Sequence, residues 1–201
     1  MRKNNRPGFS FASISRILFG LFFVLASLYI LLPEPNIEPL PYGVRSNLEG
    51  DTWQIQGISA FFTNASREEV TNYYKTQMGR TSFLNLSMPF IRLNHPPEYA
   101  QTAISDQTKS NYFEEFIQPL RGSLYVNGWE PLNDPFKYRL KSPPVNHLYK
   151  GQEYTAKVTV LYVGPGAVGR YAFFLLTCVG TYLVLSQIKL VFSQKWFQRE
   201  K

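Results

Sequence analysis

Residues 171–188 read YAFFLLTCVGTYLVLSQI and residues 17–32 read ILFGLFFVLASLYILL, and neither run holds a charged side chain. These two runs decide the architecture, because the chain between and outside them is polar. As helices rising about 1.5 Å per residue they are roughly 27 and 24 Å long, close to a hydrocarbon core of about 30 Å. Arg16 and Lys189 stand at their edges and can lift their charged heads to the interface while their stems stay in lipid. The first run follows a basic MRKNNR start, as a signal peptide would, but it is long for that role and no small-residue cleavage site precedes Pro33. It reads as an uncleaved anchor. The second is apolar on every face and leads into a basic, Trp-containing tail, the pattern of a spanning helix rather than a core helix. The expectation is transmembrane helix 1 over 17–32 and transmembrane helix 2 over 168–189.

Charge outside the two runs sets the expected orientation. Arg2, Lys3, Arg6 and Arg16 make the N-terminal segment +4, and the tail from Lys189 to Lys201 is +3, whereas residues 33–169 come to −1. Positive flanks face the cytoplasm, so both tails (1–16 and 190–201) are expected inside and residues 33–167 outside, in the cell or inner membrane of an envelope. The net charge of +7 and pI of about 9.5 are then a matter of topology. A nucleic-acid binder needs that charge on its folded face, so no nucleic-acid partner is expected. Cys178 is the only cysteine and lies in the second run, which leaves the middle region without a disulfide scaffold, a CxxC redox site or a cysteine nucleophile.

Residues 33–41, PEPNIEPLP, hold four prolines in nine positions and form a stiff, extended spacer. Residues 42–164 then make one extracytoplasmic domain. TWQIQGISAFFTN alternates apolar and polar residues as a strand, with Trp53 on its core face and Gly57 at a bulge. Ser66 and Glu69 form a capping box for a helix carrying Val70, Tyr73, Tyr74 and Met78, closed by Gly79. Residues 82–94 have β character broken by Pro89, as an edge strand or bulge would. Tyr99 to Ile104 reads as a short strand. Ser110 is placed to cap a second helix bearing Tyr112, Phe113, Phe116 and Ile117. Gly122 to Val126 reads as a strand with Asn127-Gly128 as a tight turn after it. Phe136 to Leu140 and Tyr154 to Val163 are further strands, joined by a loop around Pro143-Pro144. Gly164-Pro165-Gly166 links the last strand to the second apolar run.

The order β-α-β-β-α-β-β-β predicts a membrane-anchored α+β fold: a mostly antiparallel sheet with two helices on one face, flanked by two single transmembrane helices. A β-sandwich with helical insertions is the alternative.

Motifs that carry chemistry are sparse. His95 and His147 stand beside prolines without a third ligand at zinc spacing, so no metal site is expected. No nucleophile motif and no cofactor fingerprint is found, and the glycines from Gly164 to Gly169 open an apolar helix rather than a nucleotide site. Glu114 and Glu115, with Glu130 and Asp134 nearby, offer the only pair of carboxylates resembling a glycosidase set. Trp129, Tyr125 and Tyr99 are the aromatics available to stack on a sugar or a partner protein. Gly20 and Ser27, and Thr177 and Thr181, are small residues at spacings that let helices approach closely. No acidic residue or histidine lies within either apolar run, so no proton or ion relay is present. The reading is a non-enzymatic membrane protein that presents its domain to a protein partner or a second copy, for scaffolding or envelope assembly. The alternative is an envelope hydrolase or glycan-binding module built from carboxylates and aromatics.

Overall fold

A computed structural model describes residues 11–52, 56–80, 85–104, 109–133 and 147–199. The chain divides into two compact units, one made by its two ends (Met1–Leu32 with Gly166–Lys201) and one by Pro33–Pro165.

In the end unit, α1 (Phe11–Leu31) and α5 (Ala167–Arg199) are the long apolar helices. Ser13–Leu31 and Ala167–Lys189, with mean hydropathy 2.2 and 1.6, are long and apolar enough to cross a membrane. Phe23 of α1 meets Phe174 of α5 at 5.5 Å between ring centroids. The less exposed positions recur at helical spacing, Phe23, Ala26, Ser27 and Ile30 on α1 and Arg170, Tyr171, Phe174 and Cys178 on α5. Arg170 donates from Nη2 to the carbonyl of Leu32 at 3.0 Å, satisfying a peptide oxygen where α1 ends.

The middle unit is an α+β fold around one six-stranded antiparallel sheet. Its strands are β1 (Val44–Arg45), β2 (Ser59–Thr63), β3 (Ile91–His95), β4 (Tyr112–Gln118), β5 (Gly122–Trp129) and β8 (Ala156–Val163), in the order β1-β2-β8-β5-β4-β3. A separate hairpin joins β6 (His147–Tyr149) to β7 (Gln152–Tyr154). Its turn falls on Lys150 and Gly151, both at positive φ, as a two-residue hairpin loop requires. Short helices α2 (Glu49–Thr52) and α4 (Ala100–Ala103) and one-turn 3-10 helices at Pro97–Tyr99 and Pro131–Asn133 complete it.

One face of the sheet is covered by α3 (Arg67–Met78), which begins at the expected capping box. The Glu69 amide donates to the Ser66 hydroxyl at 3.3 Å, and the Ser66 amide donates to the Glu69 carboxylate at 2.8 Å. Val70, Tyr74 and Met78 from that helix bury against Phe61, Phe116, Leu124, Val126, Val158 and Val160 of the strands. This is the main core. The other face carries a smaller cluster, in which Ile58, Ala100 and Ile104 cover Phe113, Leu161 and the half-buried Tyr125.

The structure corrects the expected layout in four places. The strand expected over TWQIQGISAFFTN starts only at Ser59: Thr52 ends α2, and Gln56-Gly57 form a turn with Gly57 at positive φ in place of a bulge. Residues 112–118 form strand β4 and not a second helix, so among the described residues α3 is the one multi-turn helix on its face. Tyr112, Phe113, Phe116 and Ile117 fit helical spacing, but β4 is central enough to be buried on both sides, and such a strand shows no alternation. Tyr99 to Ile104 is helical and not a strand, with Pro97 at the start of the turn, where its missing N–H costs nothing. Asn127-Gly128 lies inside β5, opposite Phe113 and Tyr112, and makes no turn. Trp53, Phe136 to Leu140, the Pro143-Pro144 loop, Asp134 and residues 82–84 lie outside the described residues.

Candidate functional site

Register assigns every side chain of β3, β4, β5 and β8 to one of the two faces. On the face away from α3, one row across the sheet runs Ile91, Ile117, Ser123, Val163, and the next runs Leu93, Glu115, Tyr125, Leu161. Ile91, Leu93 and Val163 are 51%, 39% and 50% exposed, so the cluster around Ile58 and Ile104 leaves this end of the face open. The strand carrying Ile91 and Leu93 is also an edge of the sheet: among the described strands, β3 has β4 on one side and no neighbour on the other. Its first four residues are all exposed. Of the two outcomes expected for residues 82–94 from Pro89, an edge strand or a bulge, β3 takes the edge, and the strand is confined to Ile91–His95.

Behind this edge lies the domain's one described histidine–carboxylate pair. His95 Nε2 is 2.7 Å from Glu115 Oε2. Ser123 and Tyr125 also hydrogen-bond the Glu115 carboxylate. Burial pushes that carboxyl up, but these hydrogen bonds and the histidine outweigh it, so it sits below the usual range and stays ionised at neutral pH. Burial and the adjacent Glu115 charge push the Tyr125 phenol up, which keeps it a donor. The His95 ring lies 5.4 Å from Phe113, and Phe113 stacks on Tyr125 at 5.7 Å. The group ties the edge strand to β4 through a hydrogen bond across two neighbouring rows. Two of the domain's clefts lie elsewhere. One, about 310 Å³, is bounded by Tyr42, Val44, Glu69 and Tyr154, and another, about 170 Å³, by Arg45, Phe61, Tyr74 and Tyr162. A substrate held in either would not meet the His95–Glu115 pair.

The carboxylates considered for glycosidase chemistry part company. Glu114 and Glu115 are successive residues of a strand, so they point to opposite faces. Glu114, fully buried under α3, is ion-paired with Arg67 and with Arg92, whose Nε lies 2.9 Å away. Glu130 accepts a hydrogen bond from Asn133 at the end of β5. Histidine placement is equally divergent: His147 lies in β6 against Trp129, ring centroids 4.7 Å apart. Burial lowers its pKa, and the nearby Lys157 charge adds to this, against a hydrogen bond to the Trp129 backbone. Among the described residues no three His, Cys, Asp or Glu side chains gather as a metal site would need.

Of the aromatics singled out for binding, Tyr125 and Trp129 point to the same face of β5, two register rows apart and each half-buried against its own partner. Tyr99, in the 3-10 turn after β3, is exposed. Of the small residues in the helices, Ser27 lies on the less exposed side of α1, while Gly20 is exposed with nothing within 4 Å of its Cβ position. Thr177 and Thr181 are exposed and donate their hydroxyls back to the carbonyls of Phe173 and Thr177 on their own helix.

The sequence signal for Ile91 and Leu93 is their alternation with Arg92 and Asn94, which is short and cut off by Pro89 and Pro96. Glu115 becomes a partner of His95 only on a strand, because helical spacing gives no register that brings the two together. No protein-family model, no curated protein and no solved structure matches this chain, so its function rests on its own residues.

Proposed function

We propose that this chain is a two-pass membrane protein that holds the Pro33–Pro165 domain on the extracytoplasmic side and uses it to bind another protein, in scaffolding or envelope assembly. The observation that carries the binding reading is the open β3 edge with Ile91 and Leu93 exposed beside it. An unpaired edge offers backbone hydrogen bonds to an added strand, and flanking apolar side chains add area to cover. The membrane reading is supported by two apolar helices of spanning length and by positive charge on both tails.

Two experiments test this. Tyr42 is 99% exposed, so in a Cys178→Ser background Tyr42→Cys should react with a membrane-impermeant maleimide in intact cells. A cysteine added after Lys201 should react only once the membrane is opened. Labelling of the tail in intact cells would reverse the orientation. For the interaction, a photo-crosslinking amino acid at Leu93 should give a discrete protein adduct in the membrane, whereas one at the exposed Gln152 in β7 should not. Equal yields at the two positions, or none at Leu93, would count against the β3 edge as the binding surface.

The domain should also stand without its helices. A fragment spanning Pro33–Pro165 has the α3-covered core within it and is expected to be soluble and to unfold in a single cooperative transition in urea. Aggregation, or a gradual loss of signal, would mean that the core depends on lipid or on a partner.

A further inference from the structure

We propose that the protein received by the β3 edge is a second copy of this chain, with the two β3 strands antiparallel about a two-fold axis through Leu93. This rests on the reading of β3 as a binding edge and goes further in naming what binds there. A two-fold contact between like edges continues the sheet only if each face meets its own kind, so a residue must stand opposite one of the same parity. That leaves a few registers. Centring the axis on Arg92 sets two guanidinium groups against each other, and like charges directly opposite are unfavourable. Centring it on Asn94 places Arg92 opposite Pro96, which has no N–H to donate. Centring it on Ile91 brings Pro89 into the ladder, opposite Leu93.

The Leu93 centre avoids all three. It sets Leu93 against its copy and Ile91 against His95 on the open face, and Arg92 against Asn94 on the face of α3. On that face the cation already meets Glu114, and Asn94 Oδ1 accepts from Arg67 at 3.2 Å. The flanking prolines Pro89, Pro96 and Pro97 confine the ladder to the five residues of β3. The opposite edge, β1, is only two residues long, so pairing closes as a dimer instead of growing from edge to edge. Five paired residues make a small interface. Two copies anchored in one membrane meet at raised effective concentration, which lets so small a contact persist.

The register makes the test specific. In the full-length protein with Cys178→Ser, Leu93→Cys should form an intermolecular disulfide on mild copper–phenanthroline oxidation in membranes, because the axis sets the two thiols opposite each other. Ile91→Cys should crosslink at least tenfold less, since it stands four residues from its copy, about 13 Å along the strand. Equal crosslinking at the two positions, or preference for Ile91→Cys or Arg92→Cys, would overturn this pairing. A second variant removes dependence on disulfide chemistry. Leu93→Lys puts two ammonium groups on the axis and should convert the dimer to monomer by light scattering in nanodiscs, with the thermal midpoint of the domain retained. A monomeric parent protein in the same assay also defeats the proposal. A photo-adduct at Leu93 that contains only a different protein would defeat self-pairing and leave the binding edge standing. No adduct of any kind would remove the edge reading itself.

Discussion

Replacing Arg67 and Arg92 together by methionine is expected to destabilise the domain by about 3–5 kcal/mol, the range for leaving a buried charge without its partners. Glu114 has no exposed side-chain surface, whereas Arg67 and Arg92 are 42% and 40% exposed. The three charges are therefore not equivalent. Each arginine can turn its head to water if the carboxylate is removed, but the carboxylate, held on a central strand under α3, cannot. Glu114→Gln should accordingly cost less, about 1–3 kcal/mol, as the loss of hydrogen bonds to a charged group. Methionine keeps an apolar chain over Tyr112 and Phe116, whose rings lie 5.1 and 5.9 Å from the two guanidinium carbons, so the loss reports on charge more than on packing.

The pH dependence separates this from a packing defect. Burial pushes the Glu114 carboxyl up, but the hydrogen bonds and charges of Arg92 and Arg67 more than reverse it, and it sits below its ordinary value of 4.5. Its contribution to stability is therefore complete above that value and is lost as pH falls through the lower folded-state value. In the double methionine variant only burial remains, which raises the folded-state value above the ordinary one. That variant should gain stability as pH falls through its raised value, and the two stability curves should converge in acid. Urea titrations at several pH values on the detergent-solubilised chain measure both curves, and a constant gap down to acid would show that the arginines act through packing alone.

Sequence exposed the parts whose signals are local. The capping box at Ser66 and Glu69 is written within four residues, and the two apolar helices need only length and hydropathy. The final strand, expected over Tyr154 to Val163, forms over Ala156 to Val163, with Tyr154 closing β7 instead; its alternation is legible despite burial on both faces. What failed depended on neighbours far along the chain. Residues 112–118 could be assigned only by knowing that β3 and β5 flank them, because burial on both sides erases the period of two and leaves a spacing that also suits a helix. The same error hid the site. Once Glu114 and Glu115 are on a strand, one faces Arg67 and Arg92 and the other faces His95, and a supposed acidic pair becomes two separate carboxylates with their own partners on opposite faces. Lys150-Gly151, which does form a tight turn, lacks the Asn or Asp that marks such turns. Asn127-Gly128, which has it, is claimed by the sheet.

That last position gives the second large effect. Gly128→Ala is expected to destabilise the domain by about 3 kcal/mol, the upper end for overpacking a core. Gly128 stands opposite Tyr112 in the β4–β5 ladder, and the phenol ring occupies the space a side chain would fill. A Cβ there would come within 2.0 Å of Tyr112 Cζ and 2.2 Å of Cε1. Atoms of a ring cannot yield as the tip of a flexible chain does. Tyr112 is itself 2% exposed and enclosed by the core that α3 covers, so a shift of its ring must displace core neighbours. Its φ is not what demands glycine, since Gly128 has no positive φ; the demand is for space, as where backbone and a large side chain approach closely. The double variant decides between these causes. Tyr112→Ala alone should cost about 3–5 kcal/mol by leaving a cavity. Adding Gly128→Ala to it should cost nothing further, because the clash is gone and alanine suits a strand at least as well as glycine. The two changes should thus be strongly non-additive in urea denaturation midpoints at constant m-value. Additive losses would mean that Gly128 is held by something other than the Tyr112 ring.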